Sequence, residues 1–367
     1  MKCSVLVDWL TFSVKTDNPD DVIREWLGMD TALFEAFPYG INGYLQSKRF
    51  SSIIVAYNGY ENEFFSSVDM GVCVSMSGAG CRAFESFSAL GFNGLFKKLF
   101  EGMVASNAET GETELKKRKE ALCNVSRVDV ACDDKSGLLD MDVMMKKAVD
   151  LHEFNSRMRK ANRVEGKDGD EWDGRCIYIG SKTSSFRMRI YDKALEQKEK
   201  GNGVTAPWIR VEMVMKDENA RGFVAQAVTA ESVGKLAGQI LNDKFRFIER
   251  DNGNISRCSV CDWWAAFVEE VESVVLWSRS VVQHSIERVD EWLRSQVATS
   301  MAMIGLTYGW SRLWRIMAEG KERLSPKQEA LIHDYNAQRP APYRPPERAI
   351  IGRSELEKRL ASCAVPV

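Results

Sequence analysis

Histidine is scarce in this sequence, and its scarcity limits the kinds of metal site that the chain can build. The 367 residues include only His152, His284 and His333, and no two of these are close in sequence. A metal site built on closely spaced histidines is therefore excluded. Any metal would be held mainly by carboxylate oxygens, which favours Mg²⁺ or Mn²⁺ over zinc.

Long hydrophobic runs are also missing. Charged residues interrupt every apolar stretch well short of the roughly 20 residues that span a bilayer, and Asp8 interrupts the first segment, so no secretory leader is visible. The nine cysteines are an odd, scattered set, and Cys258-Ser-Val-Cys261 has no second pair at zinc spacing. We therefore expect a cytoplasmic protein with reduced thiols and no membrane partner.

Charge of one sign is not in excess, since the formal net charge is −2. Basic residues are instead grouped in two runs, from Arg157 to Lys167 and from Arg312 to Lys327. Each run fits a solvated helix face as well as a phosphate-binding surface. Affinity for nucleic acid depends on local rather than total charge, so the near-zero net charge does not exclude such a partner.

The most informative motif is Arg187-Met-Arg-Ile-Tyr-Asp-Lys193. If it is a strand, its period of two places Arg187, Arg189, Tyr191 and Lys193 on one face and apolar residues on the other. A phenol with a pKa of about 10 is a poor nucleophile unless nearby cations or a metal stabilise the phenolate. The motif therefore fits a tyrosine nucleophile, although a half-buried strand with a solvated basic face has the same pattern.

Two further segments alternate in the same way. In Ser126-Arg-Val-Asp-Val-Ala-Cys-Asp133, the polar face carries Arg127, Asp129 and Asp133. In Ile209-Arg-Val-Glu-Met-Val-Met215, the polar face carries Arg210 and Glu212. Each acid alone fits an ordinary salt bridge, but several such strands together predict one sheet face with carboxylates, arginines and a tyrosine.

A fourth strand near the N-terminus carries Asp8. Strict alternation from Ser4 to Val14 places Asp8 on the same face as Leu6, Leu10 and Phe12. A carboxylate on an apolar face has to be paired or metal-bound to be tolerated. Asp8 is therefore a further candidate metal ligand.

The ordered motifs VDWLTFSV, SGAGCR, SRVDVACD, YIGSKTSSFRMRIYDK and WIRVEM resemble those of the replication initiation factors of rolling-circle plasmids and filamentous phages. The resemblance covers roughly residues 1 to 270. In that family the tyrosine of the R-I-Y-x-K motif is the nicking nucleophile, which implies this role for Tyr191. The R-[VIL]-D motif implies a metal ligand at Asp129, joined by Asp133, and acids in the matching strands imply Asp8 and Glu212.

The implied activity is metal-dependent, tyrosine-mediated nicking and strand transfer at a replication origin. It leaves a 5′-phosphotyrosyl link and a free 3′-OH, with Arg189 and Lys193 stabilising the developing charge. Mg²⁺ or Mn²⁺ is the expected cofactor. The expected partners are origin DNA, host helicase and DNA polymerase, and the second cleavage needed for termination favours a homodimer. The alternative is a non-catalytic origin-binding or regulatory DNA-binding protein of the same fold.

The expected fold is α+β. Residues 1–255 would form an antiparallel-sheet nicking domain flanked by helices, and residues 256–367 a helical C-terminal region with a proline-rich linker at 339–346. The polar, glycine-containing stretch from Asn162 to Arg175 is typical of a loop, and we expect it beside the strand of Tyr191.

Overall fold

The computed structural model divides the chain into two compact units, Met1–Val282 and Gln283–Val367. It describes residues 3–58, 70–106, 113–168, 171–199, 206–274, 289–290 and 293–324, with isolated positions at 329, 332–333 and 335–336. The predicted linker at 339–346 lies outside the described residues. Within the described part of the chain, no helix is long and apolar enough to cross a membrane.

The first unit is built on a large antiparallel sheet. The strands, in chain order, are β1 Cys3–Val14, β2 Glu35–Phe37, β3 Gln46–Phe50, β4 Ile53–Tyr57, β5 Val72–Met76, β6 Val104–Ser106, β7 Thr113–Leu115, β8 Cys123–Asp134, β9 Phe154–Asn155, β10 Ala161–Asp168, β11 Glu171–Ile179, β12 Phe186–Asp192, β13 Ile209–Lys216 and β14 Arg246–Phe247. Among the described residues, ten of these form one sheet in the order β10-β11-β12-β13-β8-β1-β5-β4-β3-β2. The predicted α+β class is confirmed.

The helices lie between and after these strands. They are α1 Pro19–Asp21, α2 Gly78–Phe87, α3 Gly91–Met103, α4 Met141–Met145, α5 Lys193–Glu199, α6 Glu218–Thr229, α7 Val233–Lys244, α8 Asp262–Glu272, α9 Ala298–Tyr308 and α10 Trp310–Lys321. Shorter helical turns span Val22–Trp26, Thr31–Leu33, Lys146–Asp150, Ile255–Arg257 and Leu293–Val297. In the second unit, Gly309 has φ 84 and separates α9 from α10, because glycine takes this left-handed conformation without a steric cost.

One face of the sheet forms the hydrophobic core. Leu10 and Phe12 of β1 and Val128 and Val130 of β8 are fully buried on it. Helices α3 and α6 pack against β8, and α7 and α8 pack against β1. The apolar half of each alternating strand therefore faces helices, which leaves the polar half for the opposite face.

A β-bulge in β1 contradicts the predicted surroundings of Asp8. The pairing with β8 shifts register between Val7, which lies opposite Val130, and Trp9, which lies opposite Asp129. The extra residue in the bulge is Asp8, and it moves Leu10 onto the core face. The expectation that Asp8 shares an apolar face with Leu10 and Phe12 was wrong, because a strict period of two does not allow for a residue inserted by a bulge.

The stretch expected to be a loop is also different. The described residues of this stretch, 162–168 and 171–175, belong to β10 and β11, which pair along most of their length. Glu165 lies opposite Arg175 and forms an ion pair with it. This hairpin is at the edge of the sheet, where charged pairs across the strands replace an apolar face.

The first unit continues beyond the expected boundary at residue 255. Helix α8 buries Trp264 completely, and its indole ring lies 5.6 Å from the ring of Phe245 and 5.2 Å from that of Phe247. The helix is therefore part of the core beneath β1, and the boundary between the compact units falls after Val282.

Candidate active site

The polar sheet face gathers the candidate residues by strand register. Tyr191 of β12 lies opposite Arg210 of β13, which lies opposite Asp133 of β8. Two residues before Tyr191 on the same face of β12, Arg189 lies opposite Glu212. Because successive side chains of a strand alternate between faces, these residues all point away from the hydrophobic core. The predicted faces of β8, β12 and β13 are therefore confirmed.

Tyr191 is at the centre of this arrangement and is only 8% exposed. Its hydroxyl lies 3.4 Å from Oε2 of Glu212. Cζ of Arg189 lies 5.1 Å and Nζ of Lys193 5.6 Å from the centre of its ring. Burial raises the pKa of the phenol well above its usual value, and the charge of Arg210 only partly opposes this. The hydroxyl is therefore neutral at neutral pH and needs a base or a cation to become a nucleophile.

Glu212 and Asp129 form a buried pair of carboxyl groups. Each is 2% exposed, and the two lie within hydrogen-bonding reach of each other. Burial raises the pKa of Glu212 to about 7, although Arg189 donates to its Oε2 at 2.6 Å. Burial also raises the pKa of Asp129, against the opposing effect of Arg127. Two adjacent carboxylates in a buried site repel each other, which also raises the pKa of Glu212.

Arg210 holds two other acids in place. Its Nε and Nη2 donate to the two carboxylate oxygens of Asp133 at 2.6 and 2.9 Å, and its Nη1 donates to Oδ1 of Asp8 at 3.0 Å. The bidentate pair occupies both oxygens of Asp133. Gly78 at the start of α2 lies so close that a Cβ there would be 2.9 Å from Oδ1 of Asp8. The SGAG motif therefore brings a helix N-terminus up to the bulged aspartate.

Lys193 is placed differently from the expectation. The strand ends at Asp192, and Lys193 is the first residue of α5, where it forms an ion pair with Glu196 at 2.8 Å. Backbone N–H groups of Lys193 and Ala194 both donate to the carbonyl of Trp208, the residue before β13. Lys193 nevertheless remains beside the ring of Tyr191.

The acids fit a divalent cation in one part of the site. No group of three or more His, Cys, Asp or Glu side chains lies in metal-binding geometry within the ranges that the structure describes. Asp129 and Glu212, however, are neighbouring buried carboxyls with raised pKa values, and a bound cation would favour their ionised forms. Mg²⁺ commonly binds one or two carboxylates together with water and substrate phosphates. The donor set is therefore suitable for Mg²⁺ or Mn²⁺.

Trp9 is a site residue that the sequence did not indicate. The guanidinium of Arg127 lies 4.2 Å from the centre of its ring and donates to both oxygens of Asp129, at 2.9 and 2.6 Å. Trp9 reaches this face only because the bulge at Asp8 shifts the register of β1. A stacked and ion-paired guanidinium is held rigidly, so Trp9 and Arg127 together fix the position of Asp129.

Comparison with known proteins identifies the family of the chain. The family model for replication initiation factors matches residues 123–311, which include β8, β12 and β13. The chain belongs to this family. A second model, for the N-terminal domain of rolling-circle replication initiation proteins, matches residues 4–99.

Two known proteins are similar to this chain over most of its length. The putative DNA relaxase NicK of Bacillus subtilis (strain 168) is 28% identical over 307 residues, which cover 82% of this chain and 80% of the relative. The solved structure of the rolling circle replication initiator protein from Geobacillus stearothermophilus is 26% identical, with a TM-score of 0.59, over 74% of this chain and 97% of that one. The large antiparallel sheet therefore belongs to an architecture found in a rolling-circle initiator.

Proposed function

We propose that the protein nicks one DNA strand at a rolling-circle replication origin and that Tyr191 is the nucleophile. The observation that carries this proposal is the position of the phenol, 3.4 Å from a glutamate and beneath two cations on the polar sheet face. A buried tyrosine with an adjacent base and cations has the requirements of an activated nucleophile. The similarity to a putative DNA relaxase and to a rolling-circle initiator supports DNA as the substrate.

The reaction is a transesterification. The phenol oxygen of Tyr191 attacks the phosphorus of a phosphodiester, the P–O3′ bond breaks, and a 5′-phosphotyrosyl bond forms. The phenol proton passes to Oε2 of Glu212, whose pKa near 7 suits a proton acceptor at neutral pH. The leaving 3′ oxygen takes a proton from water and becomes the free 3′-OH that a DNA polymerase can extend. Arg189 and Lys193 lie where negative charge develops on the phenol.

The proposal includes a divalent cation. Asp129, together with Glu212 or Asp8, would hold Mg²⁺ or Mn²⁺ at this face, and such an ion polarises a phosphate and neutralises its developing charge. Asp133 joins Asp129 in the proposed set, and a cation would replace arginine contacts at either residue, because Arg127 donates to both oxygens of Asp129 and Arg210 to both oxygens of Asp133. Origin DNA, host helicase, DNA polymerase and a second copy of the chain are the proposed partners.

One observation favours a second candidate, a non-catalytic origin-binding or regulatory protein of the same fold. Asp129, Glu212 and Asp133 each already form an ion pair with an arginine, and Tyr191 is nearly inaccessible. A purely structural polar layer would have the same contacts. The two candidates differ in whether DNA becomes covalently attached.

The test uses supercoiled DNA that carries the protein's own origin, with Mg²⁺ or Mn²⁺. We expect the wild-type protein to produce nicked and relaxed circles and a denaturant-resistant protein–DNA adduct. Tyr191→Phe should abolish both, and Tyr178→Phe is the matched control, because Tyr178 lies on the adjacent strand opposite Arg189. Origin binding without nicking by the wild type would favour the regulatory candidate. An adduct that survives Tyr191→Phe would refute the assignment of the nucleophile.

A further inference from the structure

Arg187 differs from the other arginines of the polar face. Arg127, Arg189 and Arg210 each form an ion pair at 2.6 Å with a carboxylate that is 2% exposed. Arg187 lies on the same strand as Tyr191 and has no hydrogen bond or ion pair with any residue that the structure describes, and its Nε is buried. Nε of Arg189 is also buried without a partner, but Nη2 of that residue donates to Glu212. Arg187 is therefore the arginine of this face whose guanidinium has no partner among the described residues, and a phosphate from outside the protein would satisfy it.

The position of Arg187 is fixed by its surroundings. Gly180, which follows β11, has φ 94, and a Cβ at this residue would lie 3.3 Å from Cβ of Arg187 and 3.0 Å from the sulfur of Met158. A larger residue would be strained in this conformation and would crowd the arginine. The glycine therefore leaves room for the stem of Arg187 beside the turn that joins β11 and β12.

Two lysines lie at the same end of the strands. Lys216 is the last residue of β13, on the polar face opposite Arg127, and its Nζ donates to the carbonyl of Lys182 in the turn at 3.2 Å. Within the described ranges, neither lysine forms an ion pair. The nearest acids in sequence, Asp217 and Glu218, are paired with Arg118. Lys182, Arg187 and Lys216 are therefore three uncompensated cations, which we call the basic patch.

We propose that the basic patch binds phosphates of the single DNA strand that contains the nick site, on one side of the scissile bond. This inference rests on the proposed function and adds the path of the substrate. Arg187 precedes Tyr191 by four residues, about 13 Å along an extended strand. That distance corresponds to about two to four nucleotides, depending on how far the strand is stretched.

The chemistry of the patch favours a polyanionic strand over a single anion. The three cations lie on different segments, namely a turn, the start of β12 and the end of β13, and so present charge at separate points. A DNA backbone carries phosphates at regular intervals and can contact each of them. The chain as a whole has a net charge of −2, so local clusters have to supply the attraction.

The experiment measures binding of the full-length protein to a fluorescent single-stranded oligonucleotide that spans the nick site, over a range of salt concentrations. We expect Arg187→Gln to weaken binding about tenfold or more and to reduce the salt slope by about 0.7 for each phosphate that the variant no longer neutralises. Lys216→Gln should act in the same direction. Arg187→Lys should retain most of the affinity, which separates loss of charge from loss of fold. Arg24→Gln is the control for net charge, because Arg24 is a surface residue paired with Asp21.

The location is tested with oligonucleotides shortened on either side of the nick. The difference between the wild type and Arg187→Gln should disappear when the nucleotides on one side are removed and persist when those on the other side are removed. Equal affinity and salt slope for Arg187→Gln and Arg24→Gln would overturn the proposal. The proposal would also fail if wild type and Arg187→Gln still differ in affinity for both shortened oligonucleotides. If millimolar inorganic phosphate abolishes the difference in affinity between wild type and Arg187→Gln, the basic patch is a site for a single anion, and the proposal is overturned.

Nicking measured in the same samples separates this inference from the proposed function. Arg187→Gln should raise KM and leave kcat nearly unchanged, because Arg187 lies too far from the phenol to act on the scissile bond. If the wild type binds the strand without nicking it, while Arg187→Gln weakens binding, the proposed function fails and the basic patch is supported.

Discussion

The buried carboxyl pair predicts an unusual dependence of stability on pH. The pKa of Glu212 is raised from its ordinary value of 4.5 to about 7, so between these values the folded protein keeps a proton that the unfolded chain has released. Stability must therefore fall as the pH rises through this window. One pKa unit corresponds to about 1.4 kcal/mol, so the whole window corresponds to about 3 kcal/mol, shared with Asp129 as its hydrogen-bonded partner.

The perturbation is Glu212→Gln, which keeps the shape of the side chain and removes its titration. The assay is urea unfolding in metal-free buffer at several values between pH 5 and pH 8. We expect the wild type to lose up to about 3 kcal/mol more than the variant across this range, because the variant has no charge to desolvate at pH 8. Mn²⁺ added at pH 8 should stabilise the wild type and have a much smaller effect on the variant, since a bound cation favours the ionised carboxyls.

The refuting result is a parallel pH dependence. If the wild type and Glu212→Gln change in stability by the same amount between pH 5 and pH 8, then Glu212 is ionised throughout and Arg189 fully compensates its charge. The site would then contain an ordinary buried ion pair, and Glu212 would be too weak a base to accept the proton of Tyr191.

Three further predictions concern Arg210, helix α8 and Asp129. Arg210→Met should destabilise the protein by about 3–5 kcal/mol in urea unfolding, because Asp133, which is 2% exposed, loses its bidentate partner; a loss below about 1 kcal/mol would show that Asp133 is solvated. A chain that ends after Ser256 should not unfold cooperatively by circular dichroism, because it lacks the fully buried Trp264, whereas a chain that ends at the unit boundary should. Asp129→Asn should reduce nicking strongly while oligonucleotide affinity stays within about threefold of wild type, since phosphate contacts come from basic side chains. If variant and wild type nick DNA equally across a Mg²⁺ titration, Asp129 is structural.

The sequence predicted the polar face best where alternation is uninterrupted. In β8, β12 and β13 each side chain keeps its face from end to end, so alternation alone predicted that Tyr191, Glu212 and Asp129 each lie on the polar side of their strands. The pairing partners were not predictable, because register between strands distant in sequence depends on the whole sheet. The ion pairs of Arg210 with Asp133 and Asp8 are examples.

Elsewhere local sequence signals were overridden by tertiary structure. The bulge at Asp8 has no glycine or proline to mark it, and it reversed the faces of β1 and brought Trp9 into the site. The stretch from 162 to 175 has the polar composition of a loop, but it lies at the outer end of the β10–β11 pair, whose buried residues Ile177 and Ile179 come later in β11. Lys193 begins helix α5 instead of continuing β12, and it forms an ion pair with Glu196 in the first turn of that helix.

Tyr191 itself is proposed to form the bond to DNA, and mass spectrometry of the covalent complex can locate that bond. The wild-type protein is incubated with an origin oligonucleotide and Mn²⁺, denatured, and digested with a protease and a nuclease, and the nucleotide-bearing peptide is sequenced. We expect a 5′-phosphotyrosyl adduct on Tyr191 alone. An adduct on Tyr178 or on any other residue, or nicked DNA without any adduct, would contradict the assignment of Tyr191 as the nucleophile.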